Sequence, residues 1–433
     1  MKLRTFIWSA LDASERDALL QRPAVSADAR IAAVVDDIVR QVRSDGDAAL
    51  LTLTAKLDKV TLNTVAVPET QIDSAGEQLS ETDRNAIQIA IRNVRTFHEA
   101  QVSQPIDVQT SPGVRCERIA RPIDAVGLYV PSGSAPLPSA AIMMAVPADI
   151  AGCPRRVLCA PPRADGTVDP SILYVASLTG ISEVFCVGGA QAIAALAYGT
   201  ETVQRVSKIF GPGNAYVAEA KSLVARDPNG AAQDLPAGPS EVLVIADQSA
   251  RADVVAADLL SQAEHGPDSQ VVLLATDAGL IDEVQGALTQ QLNELPRREI
   301  AAQALTHSML IQVDSIEDAV DISNDYAPEH LIVNTSNARD LLPSITNAGS
   351  VFLGPWTPES LGDYCSGTNH VLPTYGFARN FSGLGVEQFQ RFMTVQEASE
   401  DGLQGLGPVA QTLATLEGLA AHERAVAVRV ASR

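Results

Sequence analysis

Short β-branched runs alternate with longer stretches of helical periodicity from residue 126 onward. Val126–Val130, Arg156–Ala160, Glu183–Val187 and Val206–Phe210 read as strands. Helical patterns at 139–151, 170–179, from 190 and 214–226 separate and follow them. A second series starts at Glu241–Ala246. It continues with helix 250–264, strand 270–275, helix 277–293, strand 309–313, helix 316–324 and strand 330–334. A helix at 337–346 and a strand at 351–353 close it. Regular alternation of this kind predicts parallel βαβ units with helices on both faces. The fold class is therefore α/β, with two doubly wound domains. The first 25 residues and the chain beyond about 385 lack the alternation and read as helical or irregular extensions. Residues 28–58 predict an amphipathic helix ending at Gly46 and a second short one, and 410–430 predicts another amphipathic helix. Extensions outside a compact core often cover a partner subunit.

At 433 residues the chain has length for about three domains. Aromatic residues make up only 4%, so Ala, Val, Leu and Ile must fill the core. No apolar run approaches the ~20 residues of a membrane span. The N-terminus turns polar at Asp12, unlike a signal peptide, and a cytoplasmic protein is expected. A net charge of −21 without a Lys/Arg run disfavours nucleic acid as partner. Five cysteines without a Cys-x-x-Cys spacing fit reduced thiols.

Candidate chemistry concentrates in a few polar stretches. Gln262 and His265, three apart on a helix, share one face and can reach one metal ion. Glu329 and His330 follow a proline, where an irregular turn lets both face a cavity and offers two titratable groups for proton transfer. Asp363 sits in Gly-Asp-Tyr-Cys-Ser-Gly-Thr-Asn-His, and His422 lies in Leu-Ala-Ala-His-Glu-Arg. Gly188-Gly-Ala-Gln191 and Gly211-Pro-Gly-Asn214 fall where strands meet helix N-termini. Such turns let an anionic ligand approach the backbone, and the C-terminal ends of strands are the default site in open α/β sheets. A Gly-x-Gly-x-x-Gly fingerprint is absent. Spacing alone leaves both a ligand site and plain turns or solvated faces open at these positions.

Longer blocks decide among these readings. Gln262–Pro267, Pro328–Leu331, Gly362–Thr374, Val187–Leu196, Phe210–Asn214 and Pro236–Val242 resemble histidinol dehydrogenase, in family order along nearly the whole chain. The resemblance implies two incomplete Rossmann-like domains, similar to those of aldehyde dehydrogenases, and a homodimer with swapped tails. It implies oxidation of L-histidinol through an aldehyde to L-histidine, the last step of histidine biosynthesis, with two NAD and one Zn²⁺ per subunit. The matching zinc ligands are Gln262, His265, Asp363 and His422, and the matching catalytic pair is Glu329 and His330. Tyr129, Gln191 and Asn214 match NAD contacts. Ser240, His330, Glu417 and the zinc ligands match substrate contacts, and His370 lines the same pocket. The family often has Pro-Gly-Gly after the tyrosine, where this chain has Pro131-Ser-Gly133.

The expected division is an extension at 1–25, a first α/β domain from 26–125 and 237–384 carrying most metal and catalytic residues, a nucleotide-side domain at 126–236, and a tail at 385–433. The rival classes are a zinc hydrolase using Glu264 or Glu329 as base, and a metal-binding protein without activity. The expected zinc role is to hold the substrate's imidazole and amino groups rather than to make hydroxide.

Overall fold

The computed structural model describes residues 3–22, 29–132, 135–236 and 238–431. Gly133 of the loop after Tyr129, and Ala237 of the turn before strand 241, lie outside them. Two all-parallel sheets form the body. The larger runs in the order Arg4–Ile7, Met309–Gln312, Gln270–Ala275, Glu241–Ala246, His330–Asn334, Ser350–Leu353. The smaller runs Glu183–Cys186, Arg155–Ala160, Ala125–Tyr129, Lys208–Phe210, Ala232–Gln233. Within its own βα series each sheet has the order third, second, first, fourth, fifth. Both series therefore reverse direction between their first and fourth strands, the crevice of a Rossmann-like sheet.

The core follows from strand composition. Glu241–Ala246 and Gln270–Ala275 are buried at every residue, as strands of a parallel sheet covered on both faces must be. The apolar helices Pro138–Ile150 and Gly189–Tyr198 are buried almost all round. The helical run Ala29–Leu57 breaks at Gly46, where φ is 53°. The second stretch is started by the Glu201 carboxylate, which accepts the Asp47 N–H at 2.7 Å.

Three features depart from the sequence reading. Residues 29–99, expected to belong with 237–384, dock on the smaller sheet's domain. Val35, Val39, Val42 and Leu50 share a core with Ile193, Leu196 and Val217. Ile72, Ile87 and Val94 share one with Leu128, Met143 and Ile172. An apolar stripe buries itself on whichever apolar face is uncovered, and sequence adjacency does not decide which. The N-terminal extension supplies a strand to the larger sheet, with Arg4 opposite Met309 and Ile7 opposite Gln312. The C-terminal tail contributes a strand, Gln390–Ala398, antiparallel to Val114–Pro122, which pairs in turn with Ile106–Ser111. Beyond it the single helix expected at 410–430 is two antiparallel helices, Glu400–Leu416 and Ala420–Val430, parted at Gly418 (φ 73°).

Candidate active site

Five stretches converge at one edge of the larger sheet. Strands Glu241–Ala246 and His330–Asn334 are neighbours, with His330 opposite Val242, so Ser240, Glu241, Glu329 and His330 cluster at their N-terminal ends. Helix Ala252–Ala263 runs against the strands, which brings its C-terminal end, with Gln262 and then His265, to the same edge. The short helix Glu359–Tyr364 carries Glu359 and Asp363 four apart on one face. The loop after it returns His370, whose Nδ1 donates to the Asp363 carbonyl at 2.7 Å.

The default crevice rule thus holds for one sheet only. In the smaller sheet Tyr129, Gln191 and Asn214 follow strand C-terminal ends. In the larger sheet the clustered groups sit at strand N-terminal ends. The dipoles differ accordingly. The negative end of helix Ala252–Ala263 favours a cation, whereas the N-termini of Gly189–Tyr198 and Ala215–Arg226 favour an anion.

The catalytic candidates are held by main chain. His330 Nδ1 donates to the Glu241 carbonyl at 3.0 Å, leaving Nε2 as the reactive nitrogen. Glu329 Oε2 accepts the Glu241 N–H at 2.8 Å and lies 3.6 Å from His330 Nδ1. His330 Nε2 is 3.5 Å from Asp363 Oδ1, and both atoms are buried without a hydrogen-bond partner. Burial pushes Glu329 up to about 8. Burial alone would lower His330, but the carboxylates of Glu359, Glu329 and Asp363 outweigh it and hold the imidazole well above its ordinary value.

These groups suit a cation. Asp258, Glu329, Glu359 and Asp363 are all buried. Burial raises Asp258 to about 7 and Glu359 to about 8, so the cluster holds more carboxylate than its surroundings compensate. Ligand atoms of His265, Glu359 and Asp363 lie within 4.8 Å of one another. The Gln262 amide lies beside them. With its nitrogen turned to Glu359 it donates at 3.0 Å, and its oxygen accepts the Glu241 N–H at 3.3 Å. Imidazole, amide and carboxylate together are a donor set that fits a divalent transition metal such as zinc. A dication among the carboxylates would also remove the advantage that keeps His330 protonated.

His265 is exposed at the mouth of a cleft of about 1110 Å³, which extends past Glu264, Tyr364 and Cys365 to Tyr129, Gln191 and Asn214. The Tyr129 hydroxyl accepts the Gly189 N–H at 3.1 Å, and burial pushes its pKa up to about 12. Gln191 is 1% exposed with a partnerless amide oxygen. Asn214 caps helix Ala215–Arg226 through the N–H groups of Tyr216 and Val217. The turn before it is clamped: Gly211 donates to Asp234 and accepts from Lys221 at 2.8 Å each, and Lys221 and Asp234 form a buried ion pair. Gly211 has φ 123°, and a Cβ there would meet the Tyr129 carbonyl at 2.1 Å.

The structure therefore brings together Gln262, His265, Glu329, His330, Asp363 and His370, with Ser240 beside them. Glu417 and His422 stay apart, exposed on the tail helices. Among the described residues no hydrogen bond or ion pair joins either to the cluster. Glu359 was missed in the sequence, although its spacing of four from Asp363 is a helical-face signal. Cys365 lines the cleft.

Comparisons with known proteins agree along the whole chain. The histidinol dehydrogenase family profile matches residues 20–430. Histidinol dehydrogenase of Vibrio parahaemolyticus is 56% identical over 428 residues, covering 99% of this chain and 98% of that protein. The Escherichia coli K12 enzyme of that name is 54% identical over 431 residues, covering 99% and 98%. The crystal structure of histidinol dehydrogenase from Elizabethkingia anophelis superposes with a TM-score of 0.95 at 45% identity, covering 99% of this chain and 98% of that one. With fold, clustered residues and near-complete coverage in agreement, this chain belongs to the histidinol dehydrogenase family.

Proposed function

We propose that this chain oxidises L-histidinol through L-histidinal to L-histidine, with two NAD and one zinc ion per subunit, as the last step of histidine biosynthesis. The observation that carries the reading is the buried His330 Nε2, partnerless and 3.5 Å from Asp363. Gln262, His265 and Asp363 would hold the zinc, with His422 of a partner subunit as fourth ligand. Zinc would supply a Lewis-acidic anchor for the substrate's imidazole and amino nitrogens, and NAD would accept a hydride in each step.

The chain's own groups divide the proton work. His330 takes the hydroxyl proton of histidinol at Nε2 as the carbinol hydride leaves, its Nδ1–H fixed on the Glu241 carbonyl. The aldehyde stays in the cleft and is hydrated. Glu329 draws the proton from the attacking water, and its burial-raised pKa of about 8 suits a base near neutral pH. His330 returns its first proton to the aldehyde oxygen during this hydration, completing the gem-diol, and then takes a gem-diol proton as the second hydride leaves; the resulting acid ionises to the carboxylate. Ser240 and His370 would border the substrate, with Glu417 of the partner subunit delivered beside His422. The partnerless Gln191 amide, Tyr129 and Asn214 sit where a dinucleotide would lie, its phosphates toward the two helix N-termini.

A second copy of the chain accounts for the tail. Leu413, Leu416 and Leu419 are 55%, 78% and 41% exposed on the helices that carry Glu417 and His422. Such a surface, rich in leucine, fits a subunit interface. Two tails exchanged across a two-fold axis would bury it and deliver His422 to the neighbouring cluster. No described helix is long and apolar enough to cross a membrane.

The test is histidinol with NAD, followed at 340 nm, with and without a chelator. Two NADH per histidinol, abolished by chelation and restored by Zn²⁺, is the expected result. Hydrolytic activity without nicotinamide reduction would overturn the reading in favour of a metal hydrolase.

A further inference from the structure

We propose that Arg22 is a positioning residue for the catalytic pair, acting through Glu241 from a segment far outside the βα series. The proposal rests on the assignment of Glu329 and His330 as the acid–base pair. Arg22 Nε and Nη2 grip the Glu241 carboxylate at 2.5 and 2.7 Å, a two-pronged contact with side chains 10% and 3% exposed. Glu241 then reaches both catalytic groups by its backbone. Its N–H goes to Glu329 Oε2 and its carbonyl takes His330 Nδ1.

The same guanidinium holds the other strand start. Arg22 Nη2 donates to the carbonyls of Tyr326 at 2.8 Å and Ala327 at 3.3 Å, and its plane lies 3.9 Å over the Tyr326 ring. Glu329 follows two residues later. One side chain thus fixes the entry to both strands whose ends carry the pair. Glu241 also accepts the Tyr375 N–H at 2.7 Å, tying in the loop that carries His370.

Backbone strain marks the same place. Among the described residues other than glycine, Lys59, Ala327 and Tyr375 have positive φ, and the last two are partners of this cluster at 52° and 55°. Such conformations persist where surrounding contacts over-determine them. Arg22 has an electrostatic part as well. Glu241 is 2% exposed and would be one more uncompensated carboxylate at the cation site without the guanidinium.

The test uses full-length Arg22→Ala and Arg22→Lys with zinc content, NAD affinity, folded fraction and both half-reactions measured on each. An aiming error of ~1 Å costs on the order of 10²-fold in rate. Arg22→Ala should lose about that much kcat while retaining zinc, fold and NAD affinity. Added ethylguanidinium should restore part of it, and Arg22→Lys should stay impaired because an ammonium cannot make the fork. The ¹⁵N shifts of His330, which report its tautomer, should move from Nδ1–H toward a mixture in Arg22→Ala. A folded Arg22→Ala chain within about twofold of wild-type kcat and with an unchanged His330 tautomer would overturn the proposal. So would variants whose activity falls only with loss of fold or zinc and is not restored by guanidinium, since that is a strap and nothing more. Wild-type protein inactive with histidinol would defeat the functional assignment instead, and the His330 shifts would still decide the role of Arg22.

Discussion

Glu329→Gln should separate the two proposed oxidations. Glu329 is 6% exposed, and its Oε2 accepts the Glu241 N–H at 2.8 Å. Glutamine keeps that shape and an oxygen for the N–H, so the Glu241 carbonyl that aims His330 stays in place. The lost function is proton acceptance. Removing a general base costs about 10²–10⁴-fold, and the loss should fall on histidinal oxidation. Histidinol oxidation, which the proposed mechanism assigns to His330, should fall less than about tenfold on the same scale. Single-turnover NADH formation from histidinol and from histidinal, each supplied separately, measures the two halves. Equal losses in both would refute the division of labour. Stability offers a second reading on chelator-treated protein. Burial raises Glu329 from 4.5 to about 8, so the folded state binds the proton more tightly than the unfolded chain. Its stability contribution is then full below about 4.5 and is lost as pH rises through about 8. Glutamine carries no such loss. The variant should melt above wild type near the upper end of that window and converge with it at the lower end. Parallel melting curves across the window would refute the burial argument.

Chelation should abolish turnover and lower the melting temperature, with Zn²⁺ restoring both, and His265→Ala or His422→Ala should lose metal and activity together. Full turnover of protein shown by elemental analysis to be metal-free would overturn this. Replacing each cysteine by alanine should leave histidinal oxidation intact. Burial pushes Cys153 to about 11 and Cys186 to about 12 and raises Cys159 further still, so none of the three is a ready thiolate. Cys365 in the cleft wall is the informative case, and a loss beyond ~10³-fold in a folded Cys365→Ala protein would indicate covalent catalysis. Mixing inactive His422→Ala and Glu329→Gln chains should return up to about one quarter of wild-type activity, because half the dimers are mixed and each has one intact site of two. No recovery in mixtures shown by mass spectrometry to contain mixed dimers would place His422 in its own chain's site.

Much of the molecule was legible in one dimension. The βα alternation located nearly every strand of both sheets, since a doubly covered parallel strand must be continuously apolar wherever it occurs. Gln262 with His265 was visible because helical spacing sets which side chains share a face, and Glu329 with His330 because a proline-led turn can aim adjacent residues into one cavity. Resemblance, rather than spacing, gave Asp363, His370 and the nucleotide-side residues their expected roles. Other features depended on contacts distant in sequence. Arg4–Ile7 is a strand because Met309–Gln312 offers an open edge, and its own four residues carry little pattern. Helices 29–99 chose the smaller sheet because its domain had the uncovered apolar face. The cluster lies at strand N-terminal ends, a position no local pattern encodes, because neighbouring strands and an opposed helix end meet there. The orphaned His330 Nε2, the crowding of four buried carboxylates and the reach of Arg22 to Glu241 across 219 positions exist only after folding. Burial changes what a side chain does, and burial is a property of the packed chain: residue type and spacing set which groups were available, and tertiary packing decided which of them lost water, faced a common point and so became reactive.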